Sequence, residues 1–168
     1  MKIIRKWYPL WWLYRLYLQR HRHDVWQWAG WITPGHPLVK QKMKSMCIPA
    51  TMSALALVEF VARIPWEKEL GAPMHYPSEV LADPAVPRNC YGHAFPLASL
   101  LIAAGANARC VKGTVYDGEQ HAWVEWRIGA ICWQVDTRQK PYMFELGSEG
   151  DKMGHKPEFT FDDLQVGN

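Results

Sequence analysis

The stretch from Gln120 to Asp136 leaves this chain few ways to fold. Residues Gln120 to Ile128 alternate, with Ala122, Val124, Trp126 and Ile128 on one face and His121, Trp123, Glu125 and Arg127 on the other. A period of two over this length is the mark of a β-strand. If Gly129-Ala130 forms a two-residue hairpin loop, Ile128 pairs with Ile131, Trp126 with Trp133 and Val124 with Val135, and the apolar faces coincide throughout. A slip by one residue would turn every one of those side chains to the wrong face, so the pattern fixes the register. It sets Asp136 opposite Trp123 and diagonal to His121 on the same face, about 7 Å apart at the backbone, which suits a carboxylate reaching an imidazole.

A helix is predicted upstream. Pro87 and Asn89 read as its start, the stripe Ala94, Leu97, Ala98, Leu101, Ile102 runs at helical spacing, and Gly105 suits the residue just past its end. Pro96 lacks an N–H and predicts a kink after the first turn. Cys90 falls in that first turn, where unpaired backbone amides and the positive end of the helix dipole favour a thiolate and an oxyanion. The expectation is a depressed Cys90 pKa and faster alkylation than at Cys47, Cys110 or Cys132.

Cys90, His121 and Asp136 thus supply a thiol nucleophile, a base and a group to fix the tautomer of that base. The run Cys90-Tyr91-Gly92-His93-Ala94-Phe95, then Gly105-Ala106-Asn107-Ala108-Arg109, Gly113, His121-Ala122-Trp123-Val124-Glu125, Trp133 and Asp136 resembles the core of the transglutaminase-like superfamily, of the bacterial cysteine-peptidase type. The resemblance covers about a third of the chain. It implies an α+β, papain-like fold in which Cys90 is nucleophile, His121 general base and acid, and Asp136 its orienter. It does not fix the reaction, because the superfamily includes cross-linking acyltransferases, peptidases, peptide-N-glycanases and leader-peptide peptidases. Arg88 stands where members often carry a glycine.

Other residues invite competing readings. A cysteine on an apolar helix is, taken alone, more often a core filler than a nucleophile. Cys90 and His93 form a Cys-x2-His pair, but no second close pair completes a four-ligand zinc site, so no metal or cofactor is expected. His36, His75 and His155 lie in Pro/Gly-rich surroundings and read as exposed loop histidines. Tyr91, beside the nucleophile, and Trp123 are assigned to substrate binding, although Trp123 reads equally well as a cross-strand aromatic. Glu125 and Arg127 line the cleft or form a solvated pair.

With 168 residues, 49% of them hydrophobic, the chain can build a core without disulfides. A formal charge of +3 is too small to argue for nucleic acid. Four cysteines without paired spacing fit a reducing, cytoplasmic setting. Residues 1–31 form a basic, aromatic segment: no acid occurs before Asp24, while Lys2, Arg5, Lys6, Arg15, Arg20 and Arg22 alternate with Trp7, Tyr8, Trp11, Trp12, Tyr14 and Tyr17. Pro9 and Arg15 interrupt it, which argues against a signal peptide or membrane span. It reads as a helix that packs on its own domain or a partner protein, ahead of a peripheral membrane contact.

Residues 32–168 are then the transglutaminase-like catalytic domain. Ala50 to Ile64 is predicted helical with Leu57, Phe60, Val61 and Ile64 inward, residues 71 to 87 irregular, Pro141 to Lys156 a surface loop, and Glu158 to Asn168 a short terminal element or tail. The sheet is expected to hold Arg109–Val115, Gln120–Ile128 and Ala130–Asp136. The inferred activity is hydrolysis of an amide bond in a protein or peptide substrate through a thioester. A non-catalytic assembly module, or a leader-peptide-processing or cross-linking acyltransferase, is the alternative. Hydrolysis is preferred because the chain shows none of the added domains of large cross-linking enzymes.

Overall fold

In the computed structural model the described residues are 28–46, 50–68, 74–138 and 141–162. Among them, helices α1 (Pro37–Ser45), α2 (Ala50–Ala62), α3 (Pro77–Ala82) and α4 (Cys90–Ala103) precede strands β1 (Asn107–Thr114), β2 (Gln120–Ile128), β3 (Ile131–Asp136), β4 (Tyr142–Glu145) and β5 (Lys156–Phe161). The strands form one antiparallel sheet in the order β4-β3-β2-β1-β5. Helix α4 lies between β1 and β2 on one side and α1, α2 and α3 on the other.

The central helix forms where its sequence marks its ends. Asn89 is the N-cap, its side-chain oxygen accepting from the Gly92 amide at 3.0 Å. At the other end Gly105 takes φ +83°, and the amides of Gly105 and Ala106 donate to the carbonyls of Ile102 and Leu101. This closure needs a residue tolerant of the left-handed region, which is what glycine supplies. The helix continues past Pro96 without interruption. It is buried almost all round: Phe95, Leu97, Ala98, Leu100 and Leu101 have no exposed surface, and they meet Leu57, Val58, Val61 and Val80 from the helices and Cys110 and Val124 from the sheet.

The hairpin has the anticipated register, Ile128 against Ile131, Trp126 against Trp133 and Val124 against Val135, with Gly129 at φ +62° in the turn. Ala130 belongs to the turn, and the first strand begins two residues earlier than expected, at Asn107. Helix α2 buries Leu57 and Val61 as anticipated; it ends at Ala62, with Ile64 buried just beyond it, and Phe60 is only partly buried.

Two expectations are corrected and a third is made specific. Within 71–87 the described part contains α3, because Pro77 occupies the first helical turn, where its missing N–H is no loss, and the Glu79 carboxylate accepts from the Tyr76 amide at 2.7 Å. Pro141 to Lys156 is not all surface loop: Tyr142–Glu145 pairs with β3, too short a strand to show a period. Residues 156–161 are a full edge strand on β1, tolerating Pro157 beside a register shift at Lys112/Gly113. Because β4 and β5 occupy opposite edges, the connection from Leu146 to His155 crosses the sheet. It is held on the way by the Met153 carbonyl accepting from the Tyr116 amide at 2.9 Å and the Tyr142 hydroxyl accepting from the Lys152 amide at 2.9 Å.

Expectations for residues 1–27, for Cys47 and for the last six residues lie outside the described residues. Trp28 and Trp31, at the end of the aromatic run, pack on the domain. Trp28 sits 5.4 Å from the Tyr91 ring and 5.8 Å from that of Phe161, while Trp31 stacks on Tyr76 at 4.3 Å. Among the described residues, no helix is long and apolar enough to cross a membrane.

Candidate active site

The hairpin register carries His121 and Asp136 to the same end of the sheet. His121 Nε2 lies 2.8 Å from Asp136 Oδ2, with both side chains buried. Burial by itself would raise the Asp136 carboxyl. The contacts from His121 and His155, the charge of His121 and the Arg138 amide, which donates to Oδ1 at 2.9 Å, outweigh it and hold the carboxyl well below the usual carboxylate range.

Cys90 opens α4, and its sulfur lies against the backbone amides of Ala122 and Tyr91. The nucleophile candidate therefore meets β2 at the residue next to His121. Its thiol is nonetheless pushed up, which corrects the sequence-based expectation: burial raises it, the Asp136 charge adds to this, and the two amides and Arg138 offset only part. Cys90 itself is half-buried, and the packing around its sulfur withdraws more solvation from a thiolate than the first-turn amides return.

Two more residues tie these elements together. His93, one turn along α4, is buried with Nδ1 3.3 Å from the Thr137 hydroxyl, and burial pushes its pKa down. It joins α4 to the residue that follows β3. The stretch leading to Cys90 is held by the Arg88 amide donating to Pro65 at 2.8 Å and the Glu67 amide donating to Arg88 at 3.0 Å.

Trp123 is 1% exposed and stacks beside His121 at 6.0 Å between centroids, its indole N–H donating to Gln134 Oε1 at 2.6 Å. It walls the imidazole from behind. Tyr91 is half-buried in the cluster with Trp28 and Phe95. Glu125 and Arg127 pair with each other at 3.1 Å, Arg127 being exposed. Gly113, opposite His121 in the register, has no room for a side chain: a Cβ there would run into the Lys156 carbonyl and come within 2.8 Å of the Trp123 ring.

His155 is the residue that sequence reasoning missed. Expected as an exposed loop histidine, it is buried among Trp123, Phe144 and His121, with ring centroids at 4.7, 4.4 and 5.8 Å. Asp151 holds it twice, Oδ1 facing Nδ1 at 2.7 Å and Oδ2 accepting the His155 amide at 3.0 Å. Its Nε2 stands 3.6 Å from Asp136 Oδ2. The available signal was the spacing of Asp151 and His155, four residues apart, but only the crossing of the sheet brings them to the site. His36 and His75, by contrast, stay at the surface region, His36 capping α1 at Leu38 and His75 lying 3.7 Å from Glu79.

No family model matches the chain, and no curated protein matches it significantly. Solved structures do. A "putative cysteine protease" from Cytophaga hutchinsonii superposes with a TM-score of 0.50 at 17% identity over 69% of this chain, which spans 39% of that protein. Legionella pneumophila LapG superposes in its EGTA-treated form with a TM-score of 0.54 at 16% identity, covering 74% of this chain and 68% of that one. Its calcium-bound form gives 0.53 at 13% identity, with 74% and 70% covered. At such identity the likeness establishes architecture alone: the chain has an α+β fold with a papain-like, transglutaminase-like core.

Proposed function

We propose that this protein is a thiol-dependent amide hydrolase in which Cys90, His121 and Asp136 act together on a protein or peptide substrate. The observation that carries the reading is the buried His121–Asp136 contact at 2.8 Å, set beside a first-turn cysteine whose sulfur reaches the Ala122 amide. Asp136 accepts the Nε2 proton of neutral His121, so Nδ1 carries the free lone pair. In the first step the Cys90 proton passes to Nδ1 as the sulfur bonds to the substrate carbonyl carbon. Backbone amides at the start of α4 receive the developing oxyanion. The C–N bond then breaks as the imidazolium returns its proton to the leaving amine, giving a thioester. Water, deprotonated by the same nitrogen, attacks that thioester and releases the acid and the Cys90 thiol.

Pushing the thiol up makes proton transfer to His121 part of the attack rather than a step completed beforehand. That same burial favours a second reading, a non-catalytic module that keeps the fold. The two are separated by incubating the folded chain with a peptide library and following cleavage by mass spectrometry. The hydrolase reading expects cleavage abolished by Cys90→Ala and slowed by about 10⁴-fold in Asp136→Asn, whose imidazole loses its orienting acceptor. It also expects Cys90, half-buried and assisted by His121 as base, to alkylate faster than the fully buried Cys110. Cleavage that survives Cys90→Ala, or no cleavage together with equally slow alkylation of these cysteines, would leave only the module.

A further inference from the structure

His121, Asp136 and His155 each turn one potential ligand atom inward, and among the described residues these atoms all lie within 4.8 Å of one another. A hydrogen-bond network accounts for two of them, since His121 Nε2 and Asp136 Oδ2 face each other at 2.8 Å. It does not account for the third. The His155 side chain has no exposed surface, its Nδ1 is committed to Asp151, and its Nε2 is buried without a hydrogen-bond partner. A histidine whose outer nitrogen is fixed by a carboxylate while its inner nitrogen makes no hydrogen bond and faces an acid 3.6 Å away has the arrangement of a metal ligand with its supporting carboxylate in place.

We propose that His121 Nε2, His155 Nε2 and Asp136 Oδ2 form a binding site for a borderline-soft divalent cation of the zinc class. Zinc bonds of about 2.0–2.2 Å place neighbouring tetrahedral ligands about 3.3 Å apart. The 3.6 Å contact between His155 and Asp136 already suits this, the 2.8 Å contact between His121 and Asp136 has to open by a fraction of an ångström, and the two imidazole nitrogens, within 4.8 Å of each other, have to draw together to about the same spacing. Two imidazoles and one carboxylate favour zinc over calcium or magnesium, which take oxygen ligands. The consequence, which rests on the hydrolase reading, is reversible inhibition. Once Nε2 holds the metal, the single proton of neutral His121 sits on Nδ1, the nitrogen that must accept the Cys90 proton, and Asp136 no longer orients the ring.

The binding test does not depend on activity. Full-length Cys90→Ala protein, which lacks the competing thiol, is dialysed against zinc chloride and separately loaded with cobalt(II). One equivalent should bind tightly, with a cobalt spectrum of four-coordinate N/O ligation and no thiolate charge-transfer band. His155→Gln should weaken zinc binding at least tenfold. Asp151→Asn, which keeps the ligands but loosens His155, should weaken it about 10- to 100-fold. Circular dichroism checks that each variant is folded. If no zinc binds, if affinity is unchanged in both variants, or if binding disappears with Cys90→Ala while the wild type shows a thiolate band, the site is refuted. Zinc bound as expected by a protein that cleaves nothing would refute the hydrolase reading alone.

Discussion

Replacing Gly113 by alanine puts one methyl group where the sheet has no space for it. Gly113 pairs with His121 on β2 and with Pro157 on β5, and its missing Cβ is what lets the Lys156 carbonyl and the Trp123 ring approach. The ring can tilt, but the carbonyl is backbone in a paired strand, so relief requires β5 to move off β1 at the register shift. Overpacking of this kind costs about 1–3 kcal/mol, and the backbone obstacle places Gly113→Ala toward the upper end. At about 2–4 °C per kcal/mol for a chain of this size, thermal unfolding should fall by roughly 5–10 °C. Urea unfolding should show the same loss as a midpoint lowered by about 1 M, with the slope unchanged. Gly35→Ala is the matched control, because nothing lies within 4 Å of its added Cβ; it should be neutral or stabilising by up to about 1 kcal/mol. In a Trp123→Phe background the Gly113→Ala penalty should persist, since the Lys156 carbonyl remains. Stability within about 0.5 kcal/mol of wild type, the range of an uneventful surface change, would refute the steric argument.

Other outcomes follow from single contacts. Asn89→Ala removes the cap of α4 and should lower stability by about 1 kcal/mol in urea titration, while exposing the Gly92 amide to faster hydrogen exchange. Gln134→Leu leaves the buried Trp123 indole N–H without an acceptor and should destabilise by about 1–3 kcal/mol, read by the same titration. The Asp136 carboxyl is held below its unfolded value of about 3.9, so its stabilisation is present above that pH and is lost as pH falls through it toward the folded value. Stability profiles between pH 3 and 7 should therefore be flatter for Asp136→Asn than for wild type. Equal slopes would show that the carboxylate is not the linked group.

What could be read from the sequence was what short-range patterning determines. The cap at Asn89, the glycine after Ala104 and the alternation around Gly129-Ala130 are local signals, and they placed Cys90, His121 and Asp136 on α4, β2 and β3 with the register observed. Residues whose position depends on distant pairing left no such trace. β4 is too short for a period, β5 contains a proline, and His155 looked like loop because nothing near it in sequence discloses the sheet it crosses. The direction of the Cys90 shift was missed for a related reason: the helix start is visible in the sequence, but the depth at which α4 is buried is a property of the whole packing.

The strap from Leu146 to His155 also bears on the order in which the molecule assembles. The β2–β3 hairpin and α4 are built from contacts close in sequence, whereas β5 must find β1 across more than forty intervening residues, with Cys110 meeting Phe161. Closing so long a loop carries an entropic penalty before any pairing offsets it, so non-local strands dock late. A nascent state with the helix and hairpin formed and β5 still free would hold Cys90, His121 and Asp136 near one another while the Trp123 side of the sheet stood open to water. Docking of the strap then seals that side by laying His155 against Trp123 and Phe144, and the closed interior becomes the final product of folding rather than its nucleus.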